Sequence, residues 1–455
     1  MKRFIALVSM LLCMTLIISG CAKAEKEGSD STGDNTGVST PTNKKVQWIM
    51  PSDASQLKGY QSLVEKFNQE KGYNMEVLGT SYGDIFPKLQ SMMAAKQVPD
   101  VNMFGTELVP WASKGAMTPI DDYVTNSGMD LSQYDGKMVD AMKWDGKLWE
   151  VPYSSSTCVL YYNKDLFDKA GVEYPSHDWN DKTWTTDAFI KLAQKLTIDK
   201  NGKNATEEGF DPDNIVQYGV GGMQSMWFAP WYFGGDITDE TGTKYIGNDA
   251  NTAKGIQFIA DLSLKYHVMP SAEKSQALSA GGNIFFTGKV AMNVDGTWGA
   301  SALKDASFNW DIAATPIGTN HSVVLYTDGL GVGANSQNSD GGWEFINWLN
   351  SSEENYLAFL NSTSGYMTIP AKLDTRDKVK SLLKEQFPNV DINVMFNAVQ
   401  VDDAKPLYMR YSENWNKLST LLDNEVYSVV NNGEKTAEQA LNDIAEEAQN
   451  ILDGE

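Results

Sequence analysis

Residues 46–455 predict an α/β fold built in two lobes, on three observations. A strand pattern, a helical pattern and a second strand pattern follow one another within the first 33 residues of this region. That β-α-β alternation implies mixed or parallel sheets flanked by helices. The 455-residue chain is longer than one hydrophobic core usually holds, so two lobes are expected. No repeat of short period interrupts the alternation, which disfavours a solenoid or propeller.

The elements follow in order. Lys45-Val46-Gln47-Trp48-Ile49-Met50 reads as a strand and Pro51-Ser52-Asp53 as a turn. From about Gln56 to Lys71 the apolar residues Tyr60, Leu63, Val64 and Phe67 recur at helical spacing on one face. Gly72 stops that helix and Met75-Glu76-Val77-Leu78 is the next strand. Phe86 to Lys96 reads as a helix and Pro99 to Phe104 as a third strand. Val151-Pro152-Tyr153 and Val159-Leu160-Tyr161-Tyr162 read as strands around a crossover. Helices are expected over Thr186–Leu196, capped by Thr185 or Thr186, and over Ala253–Tyr266. Val290 to Val294 is a strand; Trp343–Leu349 and Ser352–Leu360 are helices. The chain ends in helix from about Asn414 to Leu452, broken near Asn431-Asn432-Gly433.

The first 45 residues carry a different signal. Lys2 and Arg3 precede an apolar run, Phe4 to Ile18, which is too short to span a bilayer comfortably. Ile18-Ser19-Gly20-Cys21 then reads as a lipobox: small residues fit the peptidase pocket, and the Cys21 thiol takes the lipid. Residues 1–20 are thus expected to be a lipoprotein signal peptide. Residues 21–45 hold one aliphatic side chain, Val38, amid Gly, Ser, Thr and Asn. Such a segment cannot bury enough apolar surface to offset ordering its backbone, and it reads as a flexible tether. An ordinary secretory signal with Cys21 incidental is the alternative.

Composition excludes several classes. The formal net charge of −22 argues against nucleic-acid binding, which needs clustered Lys and Arg. A mean hydropathy of −0.36 argues against a multispan membrane protein. Cys158 has no intramolecular disulfide partner once Cys13 and Cys21 are accounted for, and a buried structural role is expected. Asp199-Lys200-Asn201-Gly202-Lys203-Asn204 has alternate Asp and Asn, but its glycine falls at position four and no acidic fifth position follows. A turn on Asn201-Gly202 is expected there, with no bound metal and no cofactor.

Gly146-Lys147-Leu148-Trp149-Glu150-Val151-Pro152-Tyr153, followed by Leu160-Tyr161-Tyr162-Asn163-Lys164-Asp165-Leu166-Phe167 and Ala170-Gly171, resembles family 1 extracellular solute-binding proteins, the maltose-binding-protein-like receptors of ABC importers. Phe286-Thr287-Gly288-Lys289-Val290-Ala291-Met292 with Gly296-Thr297-Trp298 resembles another of the family's patterns. So do Gly329-Leu330-Gly331-Val332 with Trp343-Glu344-Phe345-Ile346, and Gly433 with Thr436 to Leu441. The pieces run in family order along the folded chain. The resemblance implies a type II-like periplasmic-binding-protein fold with a multi-strand hinge and a ligand cleft between lobes. The N-terminal lobe would hold 46–155 and 327–361, and the C-terminal lobe 156–326 and 362–455. Crossings are expected near Tyr153–Thr157, Tyr326–Gly329 and Ser364–Pro370. The implied function is capture of a sugar, an oligosaccharide, by lobe closure and delivery to the transmembrane subunits of an ABC permease, without enzymatic turnover. The implied setting is a monomer anchored by lipid to the outer face of the cell membrane of a monoderm bacterium.

A sugar site needs aromatic faces for C–H surfaces and carboxylates or amides for hydroxyls. By family position, Trp298 is the expected stacking residue, with Asp295 beside it as acceptor. Trp227 and Trp231 lie where the family places ligand-contacting aromatics, in a run so apolar that some members must be core. Asp53 and Glu107 match acidic binding positions; a turn or N-cap role and a solvated loop charge are their alternatives. Tyr82 and Asp84 are candidates whose alternative is capping of the next helix. Trp415 matches a family tryptophan. Arg410 is one of only two arginines beyond the signal segment, with a surface ion pair as its alternative. Two rival functions stand beside this reading: a receptor for a polyamine, peptide or osmolyte, and a secreted glycosidase working through paired carboxylates. Replacing Cys21 with Ser should abolish incorporation of labelled palmitate and shift the protein out of the membrane fraction or leave it unprocessed, with ligand affinity unchanged.

Overall fold

The computed structural model describes residues 44–223, 226–279, 283–407 and 413–454, with Met226 and Trp227 described by backbone alone. Cys21, the signal segment, nearly all of the tether and Arg410 lie outside the described residues. Among the described residues no helix is long and apolar enough to cross a membrane.

The opening β-α-β unit forms as its residues require. Lys45–Pro51 pairs in parallel with Asn74–Thr80, and the intervening helix spans Ala54–Lys71. That helix buries Tyr60, Leu63, Val64 and Phe67, the four residues its spacing marks. Gly72 ends it in the left-handed conformation at φ +70°, where a side chain would be strained. Trp48 forms the centre of an aromatic cluster, with ring centroids 5.1 Å from both Tyr60 and Phe345 and 5.9 Å from Phe359. The helix bearing Phe345 covers Ser339–Ser351 and that bearing Phe359 covers Glu353–Ser364, both longer than the sequence pattern suggests.

The twelve-stranded sheet is joined through one segment. Glu150–Asn163 is a single continuous strand of 14 residues, all buried. The sequence pattern suggests two short strands around a crossover, and the structure joins them. Ser154, Ser155, Ser156 and Thr157 interrupt the apolar pattern, yet their backbone stays in the ladder. Thr157 also donates its hydroxyl to the Val324 carbonyl at 2.8 Å. At about 3.3 Å per residue the strand reaches roughly 46 Å. Its first part pairs antiparallel with Val324–Gly333, through Thr157↔Leu325 to Glu150↔Gly331, and with Ile369–Pro370 on its other edge. From Cys158 onward the partners change to Val290–Gly296 and Trp310–Ala313. The two sets of partners lie on either side of the Thr157–Cys158 step.

Other expectations shift in detail. The third strand shrinks to Val101–Asn102, because Phe104 already turns into a short 3-10 turn over Gly105–Glu107. The second helix begins earlier, at Tyr82, and ends at Ala94. Thr185, not Thr186, caps the helix Thr186–Leu196. The C-terminal helices run Trp415–Leu422, a π turn over Asp423–Tyr427, Ser428–Asn431, Ala437–Asp443 and Ala445–Asp453. Cys158 is buried, and burial pushes its thiol pKa well up, which keeps it an inert thiol. The Asp199 carboxylate receives the amides of Asn201 and Lys203 at 2.8 and 2.9 Å and that of Asp211 at 2.9 Å, so the loop fills its own acceptor. Gly202 sits in its turn at φ +81°.

Phe67 is fully buried between Tyr73, Phe345 and Trp348. Phe67→Ala should lower unfolding free energy by about 3–5 kcal/mol in urea titrations, the usual cost of an aromatic-to-alanine cavity.

Candidate functional site

The strand Val324–Gly333 alternates between faces, as any strand must. Tyr326 and Asp328 share one face and stay partly exposed, while Val324, Leu325, Thr327 and Gly329 are buried. Opposite them the ladder slips: Asp328 pairs with Ser154 but Gly329 with Pro152, so Tyr153 bulges between. A bulge bends its strand and re-aims the neighbouring side chains. Tyr326 and Asp328 therefore form the floor of a candidate site beside the step where the long strand changes partners.

One wall comes from the turn after Val101–Asn102. Glu150, fully buried, accepts the Phe104 amide on Oε1 at 2.7 Å and the Gly105 amide on Oε2 at 3.0 Å. Gly105 is at φ +51°, and a Cβ there would lie 2.5 Å from Asp328 Oδ1. Glycine is thus required both for the turn and for the approach of Asp328. The Asp328 carboxylate takes no hydrogen bond and joins no ion pair among the described residues. Burial alone pushes its pKa up to about 7. Burial also raises Glu150 to about 8, against the pull of its two amides and with a further push from Asp328. Glu107, at the end of the same turn, is raised to about 6 by burial, with Lys114 acting the other way.

Tyr82 leans in from the N-terminus of its helix. Its ring is 58% exposed. Its hydroxyl nevertheless rises to about 12, through desolvation first and then Asp328, while a hydrogen bond with Thr106 opposes the rise. Tyr60 and Tyr153 face Asp328 from below, and burial first, then Asp328, raises both phenols.

The opposite wall is Trp298. It lies in a 3-10 turn, Thr297–Leu303, directly after the strand Val290–Gly296. The indole is 40% exposed and meets Tyr326 edge to face, with centroids 5.1 Å apart. It folds back over its own strand: a Cβ on Gly296 would stand 2.2 Å from the ring. Asp295 is partly buried and already engaged. It accepts Asn283 Nδ2 at 2.5 Å and Asn293 Nδ2 at 3.5 Å on Oδ2, and the Gly296 amide at 2.7 Å on Oδ1. Burial raises its pKa against those bonds.

The remaining candidates are dispersed. Asp53 is the N-cap of Ala54–Lys71, taking the Ser55 and Gln56 amides on Oδ1 at 2.7 and 2.9 Å. Asp84 is exposed and accepts the Ser81 hydroxyl at 2.6 Å. Trp231 is 3% exposed, and its Nε1 donates to Asp236 at 3.2 Å. Trp415 is 2% exposed at the start of its helix. Their burial favours the core role that stands as the alternative for aromatics in apolar runs. The Trp227 side chain and Arg410 lie outside the described residues. The structure therefore gathers Tyr82, Glu107 and Trp298 about a floor of Tyr326 and Asp328, with Glu150 beneath. Of the last three, sequence reasoning named none. The available signal was a lone acid, Asp328, in the otherwise uncharged run from Val323 to Gly333.

The family described as "Bacterial extracellular solute-binding protein" matches residues 52–356. A maltotriose-binding protein of Pyrococcus abyssi is 24% identical over 339 residues, 72% of this chain and 67% of that one. An sn-glycerol-3-phosphate-binding periplasmic protein of Rhizobium meliloti is 26% identical over 346 residues, 71% and 75% of the two chains. Among solved structures, an ABC substrate-binding protein of Listeria monocytogenes in complex with cycloalternan superposes with a TM-score of 0.75 at 24% identity, covering 90% of this chain and 99% of that one. The chain belongs to the bacterial extracellular solute-binding protein family and has its mixed α/β periplasmic-binding-protein fold. It is an extracellular solute-binding protein and not an enzyme.

Asp328, Glu150 and Glu107 have native pKa values above those of an unfolded chain, so the native state holds more protons and stability falls as pH rises through their range. The ligand-free melting temperature should therefore decline from about pH 5 to about pH 8, and Asp328→Asn should flatten that decline in calorimetric scans.

Proposed function

We propose that this member of the solute-binding family is the lipid-anchored receptor of an ABC importer for an oligosaccharide, which it holds over Tyr326 and Asp328. The observation that carries the reading is a half-exposed indole, Trp298, packed edge to face on Tyr326, whose strand face also bears the desolvated carboxylate of Asp328. An aromatic face suits sugar C–H surfaces, and carboxylates accept hydroxyls. Names of relatives point the same way for the maltotriose-binding and cycloalternan-bound proteins, and away from it for the glycerol-phosphate one. The acids of this site disfavour a phosphate ligand: Lys114 is the cation felt by Glu107, and burial is the whole cause of the Asp328 shift.

In this reading the lobes are 46–155 with 327–361 and 156–326 with 362–455. The change of strand partners between Thr157 and Cys158 supports a boundary there. The Tyr82 and Trp298 walls then belong to different lobes, so ligand contacts both only when the lobes close. The permease would recognise that closed form. Cys21, acylated at the outer face of a monoderm membrane, would keep the receptor near it.

A thermal-shift panel including maltotriose and cycloalternan should raise the melting temperature for at least one oligosaccharide class, since a ligand of the native state stabilises it. A panel in which only free polyamines, peptides or osmolytes give a shift would refute the sugar assignment. Trp298→Ala should weaken calorimetric affinity by about tenfold or more, about 1.4 kcal/mol, with the ligand-free melting temperature close to wild type. Unfolding of that variant would mark Trp298 as core.

A further inference from the structure

We infer that Asp328 is the charge selector of this site and that the captured oligosaccharide carries a protonated amine, as an oligomer of glucosamine does; this rests on the strand face of Tyr326 and Asp328 being the sugar site. The groups facing Asp328 come from four elements. Tyr60 stands on the helix Ala54–Lys71, Tyr82 on Tyr82–Ala94, Glu150 and Tyr153 on the long strand, and Gly105 on the turn after Val101–Asn102. None is a cation, and none gives Asp328 a hydrogen bond. Glu150 could have been the acceptor for a ligand, but its two oxygens are taken by the Phe104 and Gly105 amides. Of the two acids here whose carboxylates take no hydrogen bond among the described residues, Glu107 and Asp328, it is Asp328 that lies on the strand face beside Tyr326.

A neutral sugar hydroxyl would satisfy those sites without balancing the charge. Removing a carboxylate from water without a counter-charge is costly, and a cation in hydrogen-bonding contact recovers that cost. An ammonium brings both the donors and the charge. The surroundings suit it further: the exposed rings of Tyr82 and Trp298, with Tyr326 between, present π faces that attract a cation as readily as a sugar C–H surface. The aromatic walls thus accept the sugar, and the acid between them chooses its charge.

The probes are three trimers of one backbone and linkage: fully deacetylated glucosamine trimer, fully N-acetylated glucosamine trimer, and cellotriose. Titration calorimetry near pH 6.5, where the amine is largely protonated and ion pairing with it draws the proton off Asp328, should show the amine trimer binding at least about tenfold more tightly than either neutral one. In Asp328→Asn that preference should collapse to within about twofold. The variant should melt no lower than wild type at about pH 8, because it removes an unpaired, desolvated charge. Equal binding of amine and neutral trimers by wild type, binding of neutral sugars alone, or a preference that survives Asp328→Asn would each overturn the inference and leave the sugar receptor standing. Failure of every sugar, here and in the wider panel, would overturn the receptor reading itself.

Discussion

The antiparallel ladder between Val324–Gly333 and the first part of Glu150–Asn163 is the constraint on which the rest depends. It ties the chain's opening β-α-β unit, through Val101–Asn102, to the strands that follow Cys158. It also fixes which side chains face outward. Because alternation is strict, burying Leu325, Thr327 and Gly329 turns Tyr326 and Asp328 to the opposite face, where they stay partly exposed. The slip at Tyr153 then sets their aim. Trp298, Tyr82 and the turn at Gly105 are placed by their own elements, but they become a site only because this ladder runs between them.

The same ladder explains why acids can be buried here. Glu150 lies at the start of the long strand and is held by two amides of a turn that would otherwise leave those donors without partners. Asp328, partly exposed but desolvated, takes no such bond among the described residues. An uncompensated carboxylate in a protein interior costs stability, and proteins keep such groups where function uses them. The aromatic core around Trp48, Tyr60 and Phe345 supplies the rigidity that tolerates it.

Much of the fold is legible in the sequence. The helix Ala54–Lys71 buries Tyr60, Leu63, Val64 and Phe67 because helical spacing leaves one apolar stripe, and spacing is visible in one dimension. The site is less legible. Trp298 could be named only through family position, and Asp53 turned out to spend its Oδ1 on capping a helix. Glu150 has no local mark, and the only local mark of Asp328 is that it is a lone acid in an uncharged run. Tyr326–Gly329 reads only as a crossing between lobes, and Glu150 only as one member of the motif from Gly146 to Tyr153. What gives each its character is a partner more than forty positions away: Gly105 for Glu150, Ser154 and Gly105 for Asp328. The long strand likewise reads as two in the sequence, because the polar Ser154–Thr157 interrupt its apolar pattern while their backbone stays paired.

That ladder also orders events in time. Val101–Asn102 meets its neighbour Gly331–Val332 only after the whole intervening chain exists. While the protein is being made, the N-terminal strands lack the partner that completes their sheet, and contacts so distant in sequence form slowly. A ribosome-bound or partly made chain therefore has no finished half to commit to. For a protein of a family that works outside the cell, delayed commitment keeps the polypeptide threadable until its last strands arrive.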